Sequence, residues 1–171
     1  DPKFRDCAVD LLELAKRISV YFLPKTRSYY ELWLDDEKVR VEEDGTVTFV
    51  EKPGPEEAIP DPIYGKRYLP RKFKIGVTVD FDNSIDVFTN DVGIIAATDN
   101  GRIVGYEILA GGGLGYKHRK ATTYARLGTP VCFVEDVAEV IPVVEAIVKV
   151  QRDYGGRADR QRARLKYLMD D

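Results

Sequence analysis

Two lysines, Lys72 and Lys74, set the chemistry open to this chain; they stand in the run Leu69-Pro70-Arg71-Lys72-Phe73-Lys74-Ile75-Gly76-Val77-Thr78-Val79. Read as a strand, with side chains alternating between faces, the run puts Phe73, Ile75, Val77 and Val79 on one side and Lys72, Lys74, Gly76 and Thr78 on the other. The first face is core. On the second, two like charges one pleat apart adjoin a residue with no side chain, and their repulsion is offset when an anion is held there. The same pattern also suits a solvated strand edge guarded by lysines against aggregation. More cations are at hand: Arg126, Arg152, Arg157, Arg160 and Arg164 could converge with the two lysines on a ligand rich in carboxylates. There arginine forks would bind bidentately, and lysines would serve as point charges and proton donors.

Other chemistries are poorly supplied. His118 is the single histidine, which excludes a His-based triad or a multi-histidine metal site; beside Lys117, Arg119 and Lys120 it reads as part of a basic loop. Cys7 and Cys132 lie far apart with no Cys-x-x-Cys spacing, so neither a disulfide framework nor a zinc or iron-sulfur site can be built from this chain alone. The run Gly111 to Gly115 lacks the spacing of a phosphate loop. Gly111, Gly112 and Gly113 would still let backbone N–H groups approach a large ligand, unless the run is an ordinary flexible connection. The pairs Asp35 with Asp36 and Asp170 with Asp171 read as exposed carboxylates rather than catalytic dyads.

The elements that must position these groups follow from periodicity. With 171 residues, 44% of them hydrophobic, the chain suits one domain, 1–171, around one core. The net charge of −3 argues against wrapping nucleic acid or lying on an anionic membrane by bulk charge, although the Arg152–Lys166 segment concentrates positive charge and residues 35–57 concentrate negative. No apolar run approaches the roughly 20 residues needed to span a bilayer. Together with the cysteine usage this points to a cytoplasmic setting, and the absence of an initiator Met points to a processed chain or a piece of a longer one.

Ala8, Leu11, Leu12, Ala15, Ile18 and Phe22 predict an amphipathic helix over about 4–22, stopped by Pro24. Tyr30, Leu32 and Leu34 alternate as a strand, residues 46–50 suit another, and residues 40–62, rich in Pro and Glu, read as an insertion loop. Asp82-Asn83 predicts a turn, followed by strand through Ile85, Val87 and Thr89. Val92 to Ala97 and Ile103 to Leu109 flank Asp99-Asn100-Gly101, a strong hairpin signal. A helix is predicted over about 135–153, ended by Gly155-Gly156 and kinked or split by Pro142, then a short helix over 159–168 with Asp159 as N-cap. The expected fold is α+β, a mixed, largely antiparallel sheet with helices packed on one side.

Several of these segments resemble the sirohaem-containing sulfite and nitrite reductases. Leu69-Pro70-Arg71-Lys72-Phe73-Lys74, Thr89-Asn90-Asp91, Gly111-Gly112-Gly113-Leu114, Thr123-Tyr124-Ala125-Arg126 and Gln151-Arg152-Asp153-Tyr154-Gly155-Gly156-Arg157 with Asp159-Arg160 occur in that family's order, after a lead-in of Leu23-Pro24-Lys25-Thr26-Arg27 and Glu31-Leu32-Trp33-Leu34. The likeness covers the chain except the Arg40 to Pro60 insertion and falls on the first of two repeated 4Fe-4S-type domains of the haemoprotein (beta) subunit.

The resemblance implies sirohaem, a tetrapyrrole with many carboxylates, bridged through a cysteine to a 4Fe-4S cluster, and a six-electron reduction of sulfite or nitrite. It implies that Lys72 and Lys74 bind the oxyanion and supply protons, and that Arg71 and Arg164 contact sirohaem carboxylates. The glycines Gly111, Gly112 and Gly113, with Asn90 and Arg126, would belong to the cofactor site. Lysine at position 74 favours sulfite, and hence an assimilatory sulfite reductase, because assimilatory nitrite reductases of the family tend to carry Asn there. The implied partners are the remainder of the haemoprotein subunit and an electron-donating flavoprotein or ferredoxin. The family's cluster cysteines have no counterpart here, which predicts a domain inactive by itself. The rival from another class is a non-enzymatic anion- or RNA-binding module using Arg152–Lys166; only Tyr154 and Tyr167 would be available to stack on bases.

Overall fold

The computed structural model describes residues 2–26, 32–34, 37–41, 44–49 and 60–170. Contacts group the chain into two compact units, Asp1–Leu23 with Arg67–Asp171, and Pro24–Lys66. The first element is α1 (Pro2–Tyr21), which stops ahead of Pro24 as its sequence predicts. Its buried stripe is Cys7, Leu11, Leu14 and Ile18, at helical spacing. Leu12, assigned to the apolar face from sequence, is exposed together with Val9 and Val20.

The Pro24–Lys66 unit holds an antiparallel meander of β1 (Leu32–Leu34), β2 (Glu37–Val41) and β3 (Val47–Phe49). β3 meets the strand expected at 46–50, and with the end of β2 it lies within the 40–62 segment read as an insertion; residues 42–43 and 50–59 of that segment lie outside the described residues, as do Tyr30, Asp35 and Asp36. The unit is organised about the buried Asp61. Its Oδ1 accepts the Ile63 and Tyr64 N–H groups at 2.9 Å each, and its Oδ2 accepts those of Lys25 at 2.6 Å and Thr26 at 3.2 Å. Burial pulls this carboxyl's pKa up, but the four donors outweigh it and hold the group below its ordinary value.

The larger unit is built on a four-stranded mixed sheet of β4 (Ile75–Val79), β5 (Val92–Asp99), β6 (Arg102–Ala110) and β7 (Thr129–Val134), in that spatial order. β4 and β5 run parallel and the other two pairings are antiparallel. The β5–β6 hairpin turns where expected, because Asn100 (φ 49) and Gly101 (φ 78) both take the left-handed conformation that a tight hairpin demands. One sheet face carries Val79, Val92, Ile94, Ala96, Tyr106, Ile108 and Val134, all buried. On this sheet α1 packs against β4 and β6, and α2 (Val137–Tyr154) against β6 and β7. The result is an α+β domain.

Four local expectations are corrected. The lysine strand is shorter than its alternation suggested: β4 begins at Ile75, after both lysines. Val87–Thr89 forms a 3-10 turn rather than strand, entered through Asp86 in a left-handed conformation, and supplies the crossover that parallel β4 and β5 need. β7 has no counterpart in the sequence reading, since Pro130 breaks its pattern. α2 runs unbroken through Pro142, which is exposed near the helix start and forfeits one intrahelical bond there.

The helix expected over 159–168 is also two pieces. A 3-10 turn at Arg160–Arg162, capped by Asp159 as predicted through its bond from the Gln161 N–H, is followed by α3 (Leu165–Leu168). Arg164 lies between them in an extended conformation (φ −86, ψ 154).

Candidate functional site

Because the chain is extended at Arg164, that arginine leaves the helix line and enters the wall of a cavity of about 430 Å³. The lining includes Arg71, Lys117, Arg160 and Arg164, with Gly115, Thr123, Asp159 and Tyr167. Its one carboxylate, Asp159, is already paired with Lys120 at 2.8 Å across the rim. The Arg71, Lys117, Arg160 and Arg164 side chains make no hydrogen bond or ion pair with any described residue. Four cations that make no hydrogen bond or ion pair with a described residue give one concavity a positive wall, a chemistry suited to an anion of several charges.

The cations singled out from sequence divide sharply. Arg71 and Arg164 come together in the cavity, and Arg160 joins them. Lys72, next to Arg71, is exposed, and Lys74 is half-buried. The other three arginines are spent inside the protein. Arg126 pairs through Nε with Asp170 at 3.0 Å and donates to the Gly111 and Leu127 carbonyls at 3.0 and 3.2 Å. Arg152 pairs with Asp153 at 2.7 Å. Arg157 donates to the carbonyls of Arg67 (3.2 Å) and Arg152 (2.9 Å) and to that of Tyr68. Its role is to strap the lead-in of the Arg71–Lys74 segment to the end of α2.

The glycines are closed off as well. A side chain at Gly76 would run into Asn90 Nδ2 at 2.8 Å, so the gap beside the lysines is filled by protein rather than left for a ligand. Asn90 itself donates to the Asp86 and Val87 carbonyls at 3.2 Å each. Gly111 (φ 80) lies against the Arg126 guanidinium and Met169, and a Cβ on Gly112 would overlap the Phe88 and Asn90 carbonyl oxygens. Only the far end of the run reaches the cavity: Gly115 lines it, and Gly113 lies beside Arg164.

Beside Asp61, two further buried charges are not evident from the sequence. Asp91 is 1% exposed; its Oδ2 accepts the Lys74 N–H at 2.9 Å and its Oδ1 has no partner among the described residues. Burial raises its pKa, opposed by that hydrogen bond and by the charges of Arg164 and Lys74. Lys166 is 0% exposed, and its ammonium donates to three carbonyls, those of Gly113 (3.0 Å), Gly115 (2.7 Å) and Tyr124. In the sequence it counts only as one cation in a basic segment. Its flanks, Leu165 and Tyr167, are the one available sign that it lies in an apolar stretch.

Comparison with known proteins decides the lineage. Residues 13–171 match the model of the nitrite and sulphite reductase 4Fe-4S domain. The chain belongs to that family. It is 45% identical over 159 residues to the NADPH sulfite reductase hemoprotein beta-component of Shewanella sp. (strain ANA-3), and 46% identical over 158 residues to that of Shewanella baltica (strain OS223). The matches take in 93% and 92% of this chain and 26% of each relative, so the chain spans about a quarter of the length of the curated relatives it matches. Among solved structures the Mycobacterium tuberculosis NirA protein is similar over 60% of this chain and 17% of its own, with 34% identity and a TM-score of 0.49. No helix among the described residues is long and apolar enough to cross a membrane.

The family's two implied prosthetic groups fit this chain differently. A tetrapyrrole bearing several carboxylates suits the Arg71, Lys117, Arg160 and Arg164 wall. A 4Fe-4S cluster does not suit it: the sequence has two cysteines, of which Cys7 is buried with its thiol donating to the Gly101 carbonyl, and no group of three metal-ligating side chains assembles among the described residues.

Proposed function

We propose that this chain is the cation-presenting domain of an assimilatory sulfite reductase haemoprotein, contributing to the sirohaem and sulfite sites of the intact protein. The observation that carries this reading is the cavity whose four cationic side chains make no hydrogen bond or ion pair with any described residue. Sirohaem, when bound, supplies an iron centre through which electrons reach the oxyanion. Arg71 and Arg164 would hold its carboxylates, with Lys117 and Arg160 completing the positive wall. Asn90, Gly111, Gly112 and Arg126 act one step further out, shaping the turn that ends at Gly113 and Gly115.

Lys72 and Lys74 would face the oxyanion from the segment leading out of Arg71. Lys74 is fixed at its backbone, where its N–H meets Asp91 and its carbonyl accepts the Val92 N–H at 3.0 Å, so its amine extends from an anchored point. Lys72, with its exposed side chain, keeps the freedom to approach substrate. Each ammonium can neutralise charge on the oxyanion and give a proton to an oxygen departing as water, then take another from solvent. Sulfite, a dianion when fully ionised, gains more from a second cation than nitrite does. Electrons would come from a flavoprotein or ferredoxin partner, and the setting would be cytoplasmic.

The test replaces Lys72 or Lys74 by Met in the intact protein. Sulfite turnover should fall by roughly 10²-fold, the scale of general acid catalysis, while the sirohaem absorption band stays near its normal intensity. Unchanged sulfite turnover in both variants would remove the two lysines from the reaction; turnover with nitrite exceeding that with sulfite in the unaltered protein would reassign the substrate.

A further inference from the structure

Besides Arg71, the cavity is lined by two walls that are distant in sequence. One is the Gly115–Lys117 stretch with Thr123; the other is Asp159–Gln161, Arg164 and Tyr167. At the rim they are joined by the Lys120–Asp159 pair, whose side chains are 35% and 44% exposed, a placement worth little by itself. Beneath them lies Lys166. Its three N–H donors are matched by three carbonyl acceptors, two on the glycine run and one at Tyr124, and its ammonium lies 5.8 Å from the Tyr124 ring centroid and 5.0 Å from that of Tyr167. No carboxylate forms an ion pair with it among the described residues.

We propose that Lys166 is the positioning residue of this cavity: its buried ammonium pins the Gly113–Gly115 and Tyr124 backbone to α3, so that Lys117 on one wall and Arg160 and Arg164 on the other address one ligand. The proposal rests on the anion-site reading of the cavity and says how that site is held together. Burying a lysine without a counter-ion costs free energy unless each donor is met, and here one donor is met by Gly115 of the cavity wall and the others by Gly113 and Tyr124, each within two residues of a wall residue. The Gly113–Arg126 pairing, in which each residue's N–H meets the other's carbonyl at 2.8 and 3.0 Å, braces the same loop from its far side. Burial and the neighbouring Arg164 push the Lys166 pKa down, and Asp91 opposes them.

Mellitate, a compact hexacarboxylate, serves as the probe on the intact protein freed of prosthetic groups, with titration calorimetry for affinity and amide hydrogen exchange at Gly113 and Arg126 for the loop. Lys166→Met removes the charge; Lys166→Arg keeps it, but a planar fork cannot meet three carbonyls arranged about an ammonium. Both variants should bind mellitate about tenfold more weakly and exchange those two amides faster, the loss expected when charged hydrogen bonds go unmade. If Lys166→Met does not fold, Lys166→Arg alone decides. Unchanged affinity and exchange in Lys166→Arg overturn the proposal, because charge alone would then suffice. A parent protein that binds no mellitate overturns the cavity reading itself, and the positioning role falls with it.

Discussion

The glycine turn with Arg126 and the cavity rim with Arg71, Arg160 and Arg164 draw on the same residue types, yet their economies are opposite. In the turn Arg126 and the Cβ positions of its first two glycines are answered by protein: Arg126 by Asp170 and by carbonyls, Gly111 by Arg126 and Met169, Gly112 by the backbone at Phe88 and Asn90. On the rim the guanidinium groups have no protein acceptor among the described residues. Conserving internal partners marks the first as a device for folding. The absence of such partners among the described residues is what our proposal assigns to a ligand on the second. A cation's use is thus decided by what it leaves unpaired, not by its residue type.

The strongest challenge to this contrast is Gly112→Ala. The added methyl would meet two backbone oxygens that belong to the crossover between β4 and β5, and neither can swing aside as a side-chain end would. Unfolding in urea should show a loss of about 3 kcal/mol, the upper part of the range for overpacking. A loss under half of that would mean that the turn has slack, and that room for a ligand exists there after all.

A sharper comparison pairs two arginines. Arg126→Ala removes an ion pair whose arginine side is 16% exposed, together with several carbonyl bonds, and should cost about 2 kcal/mol of stability. Arg164→Ala should change stability by no more than about 0.5 kcal/mol, because the charge it withdraws from Asp91 is set against the repulsion it removes from Lys166. Mellitate affinity should move the other way, falling in Arg164→Ala and holding in Arg126→Ala. Equal effects of the two substitutions on both measurements would erase the distinction between the regions.

What the chain discloses in its sequence is local. The Asn100-Gly101 hairpin is legible because two adjacent left-handed residues fix a turn wherever they occur, and α1 and α2 are legible because one stripe of apolar residues recurs at 3.6-residue spacing. Arg164 stands out already as one of the cations of the basic segment, whereas Arg71 enters only through the family likeness. What failed to show is long-range. Gly76 looked open because Asn90, which fills it, arrives from the other end of a crossover; Gly112 looked open because its neighbours are carbonyls of Phe88 and Asn90. Lys166 looked solvated because its three acceptors are backbone oxygens, which leave no trace in side-chain identity. The break at Arg164 was hidden for a related reason: the spacing of Arg157, Arg160 and Arg164 suits a continuous helix, and what interrupts it is the fold around the cavity.

Asp91 joins the two regions, since its carbonyl accepts the Gly111 N–H at 2.8 Å and its side chain accepts the Lys74 N–H. It therefore offers the finest test of which economy governs the boundary. Burial raises the pKa of this carboxyl above its ordinary 3.8, against the pull of the Lys74 N–H and of the Arg164 and Lys74 charges. An acid whose folded pKa is raised gives its full stability below the unfolded pKa and loses it as pH climbs through the folded one, because the native state then must ionise a group it prefers neutral. Asp91→Asn keeps an acceptor for the Lys74 N–H but cannot ionise. Its stability relative to the parent should therefore improve as pH rises from below 3.8 toward neutrality, a small drift read by urea unfolding at a series of pH values. The opposite drift, with the parent gaining on the variant as the carboxyl ionises, would mean that Lys74 and Arg164 compensate Asp91 more fully than burial penalises it. Those two cations would then be partly spent within the protein, and the rim would resemble the glycine turn more than the contrast between them allows.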